Sequence, residues 1–229
     1  MDIGGLQKFS LIDYPDQISA IIFTRGCDFR CGYCYNAELV LPERYAPLIP
    51  EQAVLEFLEA RRGKLDAVVI TGGEPTVQPD LLEFILKVKA LGFLVKLDTN
   101  GINPRLLEKI IEHKALDYIA MDIKAPLEKY QKVINVEIDI NNIVRSIRLI
   151  MHSGIDYEFR TTIVKSQLGK DDIVDIAKLI QGAHLYALQK FVPDKVLDAQ
   201  FLGKTTYSDV EFEDFKNAVR PFVAHCLVR

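Results

Sequence analysis

The sequence predicts one α/β domain, a partial (β/α)6 barrel with parallel strands that is open on one side. Its 229 residues are enough to bury a single core without disulfides. Short apolar runs rich in β-branched residues alternate along the chain with amphipathic stretches. Strands that alternate with helices favour parallel pairing through right-handed crossovers. Because the chain contains six such units and a closed barrel needs eight, the barrel should stay open.

Six segments have the composition of buried strands, with turn-forming residues at their ends. These predicted strands cover residues 17–23, 66–71, 93–98, 117–123, 156–164 and 184–191. Six other segments repeat their apolar residues at helical spacing. These predicted helices cover residues 51–61, 80–91, 104–113, 140–153, 171–181 and 208–223. The segment 27–50, which contains three prolines, is predicted to be irregular.

No linker-like stretch divides the chain, so we expect a single domain that spans residues 1–229. Its core should cover about residues 17–192, and a C-terminal helical tail about residues 205–229. Ser208 and Glu211 have the spacing of a capping box, which predicts where the tail helix begins.

The composition is that of an ordinary globular protein, with 49% hydrophobic and 26% charged residues. A net charge of −4 gives no general electrostatic reason to bind nucleic acid or an anionic membrane. No apolar stretch approaches the roughly 20 residues of a membrane span. Residues 1–10 lack the basic and apolar pattern of a signal peptide. We therefore expect a cytoplasmic protein.

Three of the four cysteines, Cys27, Cys31 and Cys34, follow the first predicted strand with the spacing CxxxCxxC. Thiolates at this spacing can converge on iron–sulfur, zinc or copper(I). Because structural sites usually complete their coordination and this group lacks a fourth ligand, we hypothesise an iron–sulfur cluster with one open iron. Cys226 is either a distant fourth ligand or a lone, half-buried thiol, and we favour the lone thiol.

Other unusual residues follow the next three predicted strands. The second strand is followed by Gly72-Gly73-Glu74-Pro75, the third leads into Asp98-Thr99-Asn100-Gly101, and the fourth ends with Asp122 and Lys124. In parallel α/β folds, ligands bind at the carboxyl ends of the strands. We therefore expect these residues and the three cysteines to share one rim.

This pattern resembles radical S-adenosylmethionine enzymes, and most closely the glycyl-radical-enzyme activases that act on anaerobic ribonucleoside-triphosphate reductase. The opening residues 3–15, IGGLQKFSLIDYP, are also similar to those activases. The resemblance implies an anaerobic oxidoreductase whose partners are a glycyl-radical enzyme and an electron donor such as flavodoxin or ferredoxin. It also implies that S-adenosylmethionine is cleaved reductively to a 5′-deoxyadenosyl radical.

The resemblance further implies a role for each candidate residue. Cys27, Cys31 and Cys34 would ligate three irons of a [4Fe–4S] cluster, and S-adenosylmethionine would chelate the fourth through its amino and carboxylate groups. Gly72 and Gly73 would let the backbone approach the methionine amino group. Glu74 would accept a hydrogen bond from the same group.

The remaining implied roles concern a cation site and other contacts with the cofactor. Asp98, Thr99 and Asp122 would lie close to it and hold a monovalent cation. Lys124 would pair with the methionine carboxylate, and Tyr33 would pack near the adenine. Gln189 is a candidate for contact with the ribose. Arg160 would either face the cofactor or form an ion pair with Glu158 or a neighbour, and both alternatives stay open.

The chain departs from the activase pattern at Tyr35-Asn36, where related activases commonly carry a histidine–asparagine pair. We expect the four histidines to lie at the surface or to cap helices. An alternative function is that of a small-molecule radical S-adenosylmethionine enzyme, such as a 7-carboxy-7-deazaguanine synthase. A non-enzymatic zinc module is a remote alternative, because neither paired CxxC knuckles nor a nearby fourth ligand is visible.

Overall fold

The computed structural model describes residues 1–229 and contains one eight-stranded sheet whose spatial order follows the chain. Strands β1 to β8 are Ile3–Ser10, Ser19–Thr24, Ala67–Gly72, Leu94–Thr99, Tyr118–Asp122, Asp156–Ile163, Leu185–Lys190 and His225–Val228. β1 pairs antiparallel with β2, and every later pairing is parallel. Because β1 and β8 do not pair with each other, the barrel is open between them.

Helices connect the parallel strands and cover the outer face of the sheet. Helices α1 to α8 are Ala37–Val40, Glu51–Glu59, Leu81–Ala90, Pro104–Glu112, Tyr130–Ile134, Asn141–Met151, Lys170–Leu179 and Asp209–Val219. One core cluster packs strand residues such as Val68 and Ile70 against helix residues such as Phe84 and Ile110, all of them fully buried. None of the helices has both the length and the apolar character needed to cross a membrane.

The predicted α/β fold with parallel strands is confirmed. All six predicted strands and all six predicted helices are present within about two to four residues of their expected ends, the usual uncertainty of such boundaries. The hydroxyl of Ser208 and the carboxylate of Glu211 form the predicted capping box of α8. His113 and His152 contact the carbonyls of Lys109 and Arg148 at helix ends, which agrees with the capping role expected for histidines.

Two strands were not predicted, and both lie at the edges of the sheet. β1 contains Gly4 and Gly5 and exposes several of its side chains, so it lacks the apolar pattern of a buried strand. β8 has only four residues and lies in the segment that was predicted as a helical tail. Cys226 lies on β8 as a half-buried thiol, level with Tyr186 and outside the cavity that the other three cysteines line, which agrees with the preferred interpretation of this residue.

The strand register brings the predicted site residues to one rim. Thr24 at the end of β2 is level with Gly72 at the end of β3, so the cysteine segment and the Gly-Gly turn begin side by side. Asp122 at the end of β5 is level with Arg160 on β6. Since these strands are parallel, the loops that leave their carboxyl ends surround a common opening.

Candidate cofactor site

The cysteine segment is held in place mainly by backbone hydrogen bonds. The Gly26 N–H donates to the Leu39 carbonyl at 2.7 Å, and the Gly26 carbonyl accepts from the Glu74 N–H at 2.7 Å. Further along, the Arg30 N–H donates to the carbonyl of Ile134 at the end of α5, at 2.8 Å. The segment is irregular, as predicted, but its backbone polar groups are well satisfied.

Gly72 and Gly73 are required by the packing of the chain itself. Gly72 has a φ of +122°, a conformation that side chains disfavour. A Cβ atom on Gly73 would lie 2.0 Å from the carbonyl oxygen of Gly26. The resemblance explained these glycines by close approach of a cofactor, and the structure adds that the turn lies directly against the cysteine segment. The predicted cofactor contact stays a prediction.

Hydrogen bonds to Glu74 connect the loop that follows β3 with the loop that follows β4. Its carboxylate accepts hydrogen bonds from the backbone N–H and hydroxyl of Thr76, from the hydroxyl of Thr99, and from the backbone N–H of Asn100, at 2.6–3.0 Å. Burial raises the pKa of Glu74, and the hydrogen bonds from Thr76, Asn100 and Thr99 oppose that rise. Most of its acceptor capacity is therefore used within the protein, and its predicted contact with a cofactor amino group stays a prediction.

A network of charged side chains lies opposite the cysteines. Arg160 donates through Nε to Asp122 at 2.7 Å and through Nη1 to Asp98 at 3.1 Å. Lys124 pairs with the second oxygen of Asp122 at 3.0 Å, and buried Lys96 lies 3.1 Å from Asp98. In the part of this network that lines the cavity, the cations Lys124 and Arg160 are balanced by the two aspartates.

The electrostatics of this network are dominated by its own charges. Burial alone would raise the pKa of Asp122, but the charges of Arg160 and Lys124 hold it well below its usual range. For Lys124 and Arg160, burial alone would lower the pKa, because it disfavours the charged form. The negative charge of Asp122 outweighs this effect, so the pKa of each cation is raised. Asp122, Lys124 and Arg160 are therefore all ionised across the physiological pH range.

All of the sequence-predicted site residues line a single cavity of about 250 Å³. On one side lies the cysteine wall, which we define as Cys27, Cys31, Cys34, Gly72 and Gly73. On the other side lies the charged wall, which we define as Asp98, Asp122, Lys124 and Arg160. Tyr33, Glu74, Thr99 and Gln189 complete the predicted set. The individual roles of these residues stay predictions, as does the monovalent cation, because Asp98 and Asp122 are already paired with lysine and arginine.

The cavity also contains residues to which the sequence assigned no definite role. They are Phe29, Tyr35, Asn36, Val40, Thr71, Asn100 and Thr162. Asn36 donates to the Gly72 carbonyl at 3.0 Å, and the Asn100 amide lies 3.8 Å from the Cys27 sulfur. Thr162 bonds to Gln189 at 3.4 Å. Alternation along β6 could have identified Thr162, because it lies two residues beyond Arg160 on the same face.

An aromatic group covers the cysteine segment from the β7 side. The Tyr35 ring stacks on Phe191, with centroids 6.1 Å apart, and its hydroxyl accepts from the Val192 N–H at 2.8 Å. Phe201, in the connection after β7, packs on Tyr33 and against Gly32, where a Cβ atom would lie 2.3 Å from its ring. The residue that departs from the activase pattern therefore links the cysteine segment to β7.

Two observations show that these residues suit an iron–sulfur cluster. The Tyr33 hydroxyl is buried beside the cavity and has no hydrogen-bond partner, so a polar partner is missing there. Cys27, Cys31 and Cys34 also line the same cavity, so three soft sulfur ligands are available to one cluster. Burial raises the pKa of Cys31 to about 11 and that of Cys27 still higher. No three histidine, cysteine, aspartate or glutamate side chains are close enough together for a single ion.

A partial barrel with three cysteines opposite paired charges, all at its carboxyl rim, defines a cofactor-dependent α/β enzyme. A family model described as the Radical SAM superfamily matches residues 21–180. The chain belongs to this superfamily, and it is therefore a radical S-adenosylmethionine enzyme. Membership implies S-adenosylmethionine and a [4Fe–4S] cluster as cofactors.

Relatives extend the match to the whole chain. A protein of Methanocaldococcus jannaschii, provisionally named a glycyl-radical enzyme activating enzyme, is 34% identical over 99% of this chain and 95% of its own length. A second protein of that organism with the same provisional name is 28% identical over 93% of this chain and 87% of its own. A GTP 3′,8-cyclase of Helicobacter pylori is 27% identical over 71% of this chain and 51% of its own length.

Solved structures agree on the fold. SuiB of Streptococcus suis, bound to its precursor peptide SuiA, superposes with a TM-score of 0.70 at 14% identity. The match covers 91% of this chain and 48% of SuiB. A domain of a pyruvate-formate lyase-activating enzyme from Bacteroides vulgatus matches with a TM-score of 0.56 at 16% identity, over 70% of this chain and 98% of that domain. At these identities the likeness concerns the fold alone.

Proposed function

We propose that this chain is a glycyl-radical-enzyme activating enzyme whose target is an anaerobic ribonucleoside-triphosphate reductase. The observation that carries the proposal is the cavity itself, in which three cysteines lie opposite the cations Lys124 and Arg160 across an open rim. The full-length similarity to a provisionally named activating enzyme supports the activase class. The similarity of residues 3–15 to the activators of that reductase supports the target.

The residues of the cysteine wall would hold the cluster. Cys27, Cys31 and Cys34 would each ligate one iron, and the missing fourth ligand leaves a position for S-adenosylmethionine. When bound, the cluster and S-adenosylmethionine supply a one-electron reductive cleavage that yields a 5′-deoxyadenosyl radical. The backbone hydrogen bonds around Gly26 and the Gly-Gly turn fix the positions of the thiols before any cofactor is present.

The charged wall would bind and orient the methionine end of the cofactor. Lys124 and Arg160 are the two cations of this wall, which is why we assign the contact with the methionine carboxylate to them. Both cations are already held by Asp122 and lose little side-chain freedom on binding.

The partner's glycine would reach the cavity through the open rim. The 5′-deoxyadenosyl radical would take one hydrogen atom from the glycine Cα, giving 5′-deoxyadenosine and a glycyl radical on the partner. This transfer needs no acid or base from the chain, so positioning is the protein's whole contribution at that step. An electron donor such as flavodoxin or ferredoxin would reduce the cluster before each cycle.

Two measurements test the proposal in sequence. After anaerobic reconstitution and reduction, the protein should convert S-adenosylmethionine to methionine and 5′-deoxyadenosine. With an anaerobic ribonucleoside-triphosphate reductase added, electron paramagnetic resonance should show a glycyl doublet on the reductase. Cleavage without a doublet on any candidate glycyl-radical enzyme would overturn the activase proposal in favour of a small-molecule substrate, a class to which the GTP 3′,8-cyclase relatives belong.

A further inference from the structure

A second ion pair, with one buried partner and one exposed partner, lies next to the cavity without lining it. Glu158 precedes Arg160 by two residues on β6, so both side chains point to the inner face of the barrel. Only 1% of Glu158 is exposed. Its carboxylate is paired with the guanidinium of Arg229, which follows β8, at 3.0 Å (Nη1 to Oε1) and 2.9 Å (Nη2 to Oε2). The first contact is a hydrogen bond, whereas the second is an ion-pair contact in which Oε2 has no hydrogen-bond partner.

Arg160 is therefore close to three carboxylates but bonds to only two of them. It holds Asp122 through Nε and Asp98 through Nη1. Glu158 also acts on the Arg160 charge, although its own hydrogen-bonding partner is Arg229. Arg229 thus occupies the carboxylate that would otherwise compete for Arg160.

Loss of Arg229 would leave a buried carboxylate without a counter-ion. Glu158 is almost completely enclosed while Arg229 is present, and its Oε2 has no hydrogen-bond partner, so its charge depends on a neighbouring cation. The nearest cation along the same face of β6 is Arg160. A guanidinium that turned towards Glu158 would weaken its bonds to Asp98 and Asp122, and the charged wall would lose its arrangement.

We infer that Glu158 and Arg229 form a positioning pair, which keeps Arg160 on the cavity wall and so sets the affinity for a carboxylate-bearing cofactor. The inference deepens the proposed function and rests on it. Arg229 is a suitable position for a test, because its side chain is 42% exposed and its replacement opens no void in the core.

The experiment uses anaerobically reconstituted protein and measures S-adenosylmethionine binding by calorimetry. We expect R229Q to bind about tenfold more weakly than the unmodified protein, with the same iron content. The affinity of E158Q/R229Q should recover to within about threefold of that of the unmodified protein, because the carboxylate that competes for Arg160 is gone. Unchanged binding by R229Q, or a double variant as weak as R229Q, would overturn the inference.

Controls separate positioning from general destabilisation. R145Q removes one partner of an exposed pair with Glu108 on neighbouring helices and should leave binding unchanged. Thermal melting of each variant fixes a temperature at which all of them are folded. If R229Q does not fold, R229K is used instead. It keeps the positive charge but has one ammonium group in place of the two guanidinium nitrogens that contact Glu158, so it should bind S-adenosylmethionine more weakly than the unmodified protein. Affinity equal to that of the unmodified protein would count against the inference.

A second readout needs no cofactor. Denaturant unfolding of R229Q, R160Q and R229Q/R160Q should show non-additive free energies of unfolding, because both arginines serve one group of carboxylates. Additive effects would overturn the inference. Failure of the unmodified protein to bind S-adenosylmethionine would contradict the proposed function. The unfolding measurements would still test the positioning pair, because they need no cofactor.

Discussion

The two walls of the cavity are built on different physical principles. The cysteine wall is held by backbone hydrogen bonds and by close approach of chain segments, with Gly73 against Gly26 as its tightest contact. The charged wall is held by ion pairs between side chains. Arg160 joins Asp98 and Asp122 across three strands, and Lys124 pairs with Asp122. The cysteine wall is therefore sensitive to the size of its side chains, and the charged wall is sensitive to their charge.

This difference predicts how each wall fails. A size change in the cysteine wall should displace the thiols and lose the cluster while the opposite ion pairs survive. A charge change in the other wall should weaken cofactor binding and stability while the cluster still assembles. Iron content and S-adenosylmethionine affinity should therefore separate the variants of the two walls.

The largest effect is expected from a cysteine substitution. Cys31→Ala removes one of only three thiol ligands, so the variant should lack iron–sulfur absorption and form no detectable 5′-deoxyadenosine. The matched control is Cys226→Ala on β8, which changes the same residue type outside the cavity. That control should keep both properties. Normal cluster content in Cys31→Ala would contradict the assignment of the cysteine wall.

Arg160→Gln should be the most destabilising change in the charged wall. It removes the shared partner of Asp98 and Asp122, of which Asp98 is mostly buried. Breaking a buried pair typically costs about 3–5 kcal/mol, and we expect the lower end, since Lys96 and Lys124 remain beside the carboxylates. Denaturant unfolding measures the loss. Iron content should stay normal, and a variant that loses its cluster would show that the walls are not independent.

Gly73→Ala tests the steric side of the comparison. The new methyl group would need the Gly26 carbonyl to move, and such overpacking costs about 1–3 kcal/mol. Because the shift occurs next to Cys27, the cluster should load poorly. Gly203→Ala is the control, since a Cβ atom there meets nothing within 4 Å. Equal iron content in the two variants would argue against a size-sensitive wall.

Acid titration should also distinguish the walls. The pKa of Asp122 is depressed in the folded protein, so its stabilising contribution is complete above its unfolded pKa of about 4 and is lost as the pH falls below that value. Arg160→Gln removes much of this depression. Its stability should therefore fall less steeply than that of the unmodified protein below about pH 4, by up to roughly 1.4 kcal/mol per pH unit. Parallel curves would contradict this assignment.

The sequence predicts the cysteine wall more completely than the charged wall. The three thiols lie within eight residues and the Gly-Gly turn is contiguous, so short motifs reveal them. The charged residues were also predicted, but the role of Arg160 was left open between the cofactor and an ion pair with Glu158 or a neighbour. Arg160 pairs across two strands, and which carboxylate it selects depends on strand register and on Arg229, which no local pattern encodes.

The elements that were missed share a physical cause. β1 and β8 are edge strands with one unpaired side, so they do not need the continuous apolar composition that identifies a buried strand. The packing of Phe201 on Gly32 joins residues far apart in the chain, and neither residue type is unusual for a loop. Such contacts follow from the assembled fold and not from any segment alone.

The smallest effect is expected at the contact that links the cysteine wall to β7. Tyr35→Phe keeps the stacking on Phe191 but removes the acceptor of the Val192 N–H, and it should cost at most about 1 kcal/mol, because water can reach this exposed position. Tyr45→Phe is the control, since it removes a hydroxyl that bonds to no other group of the chain. A loss of cluster in Tyr35→Phe alone would mean that this one hydrogen bond fixes the cysteine wall, and that backbone packing is not sufficient to hold it.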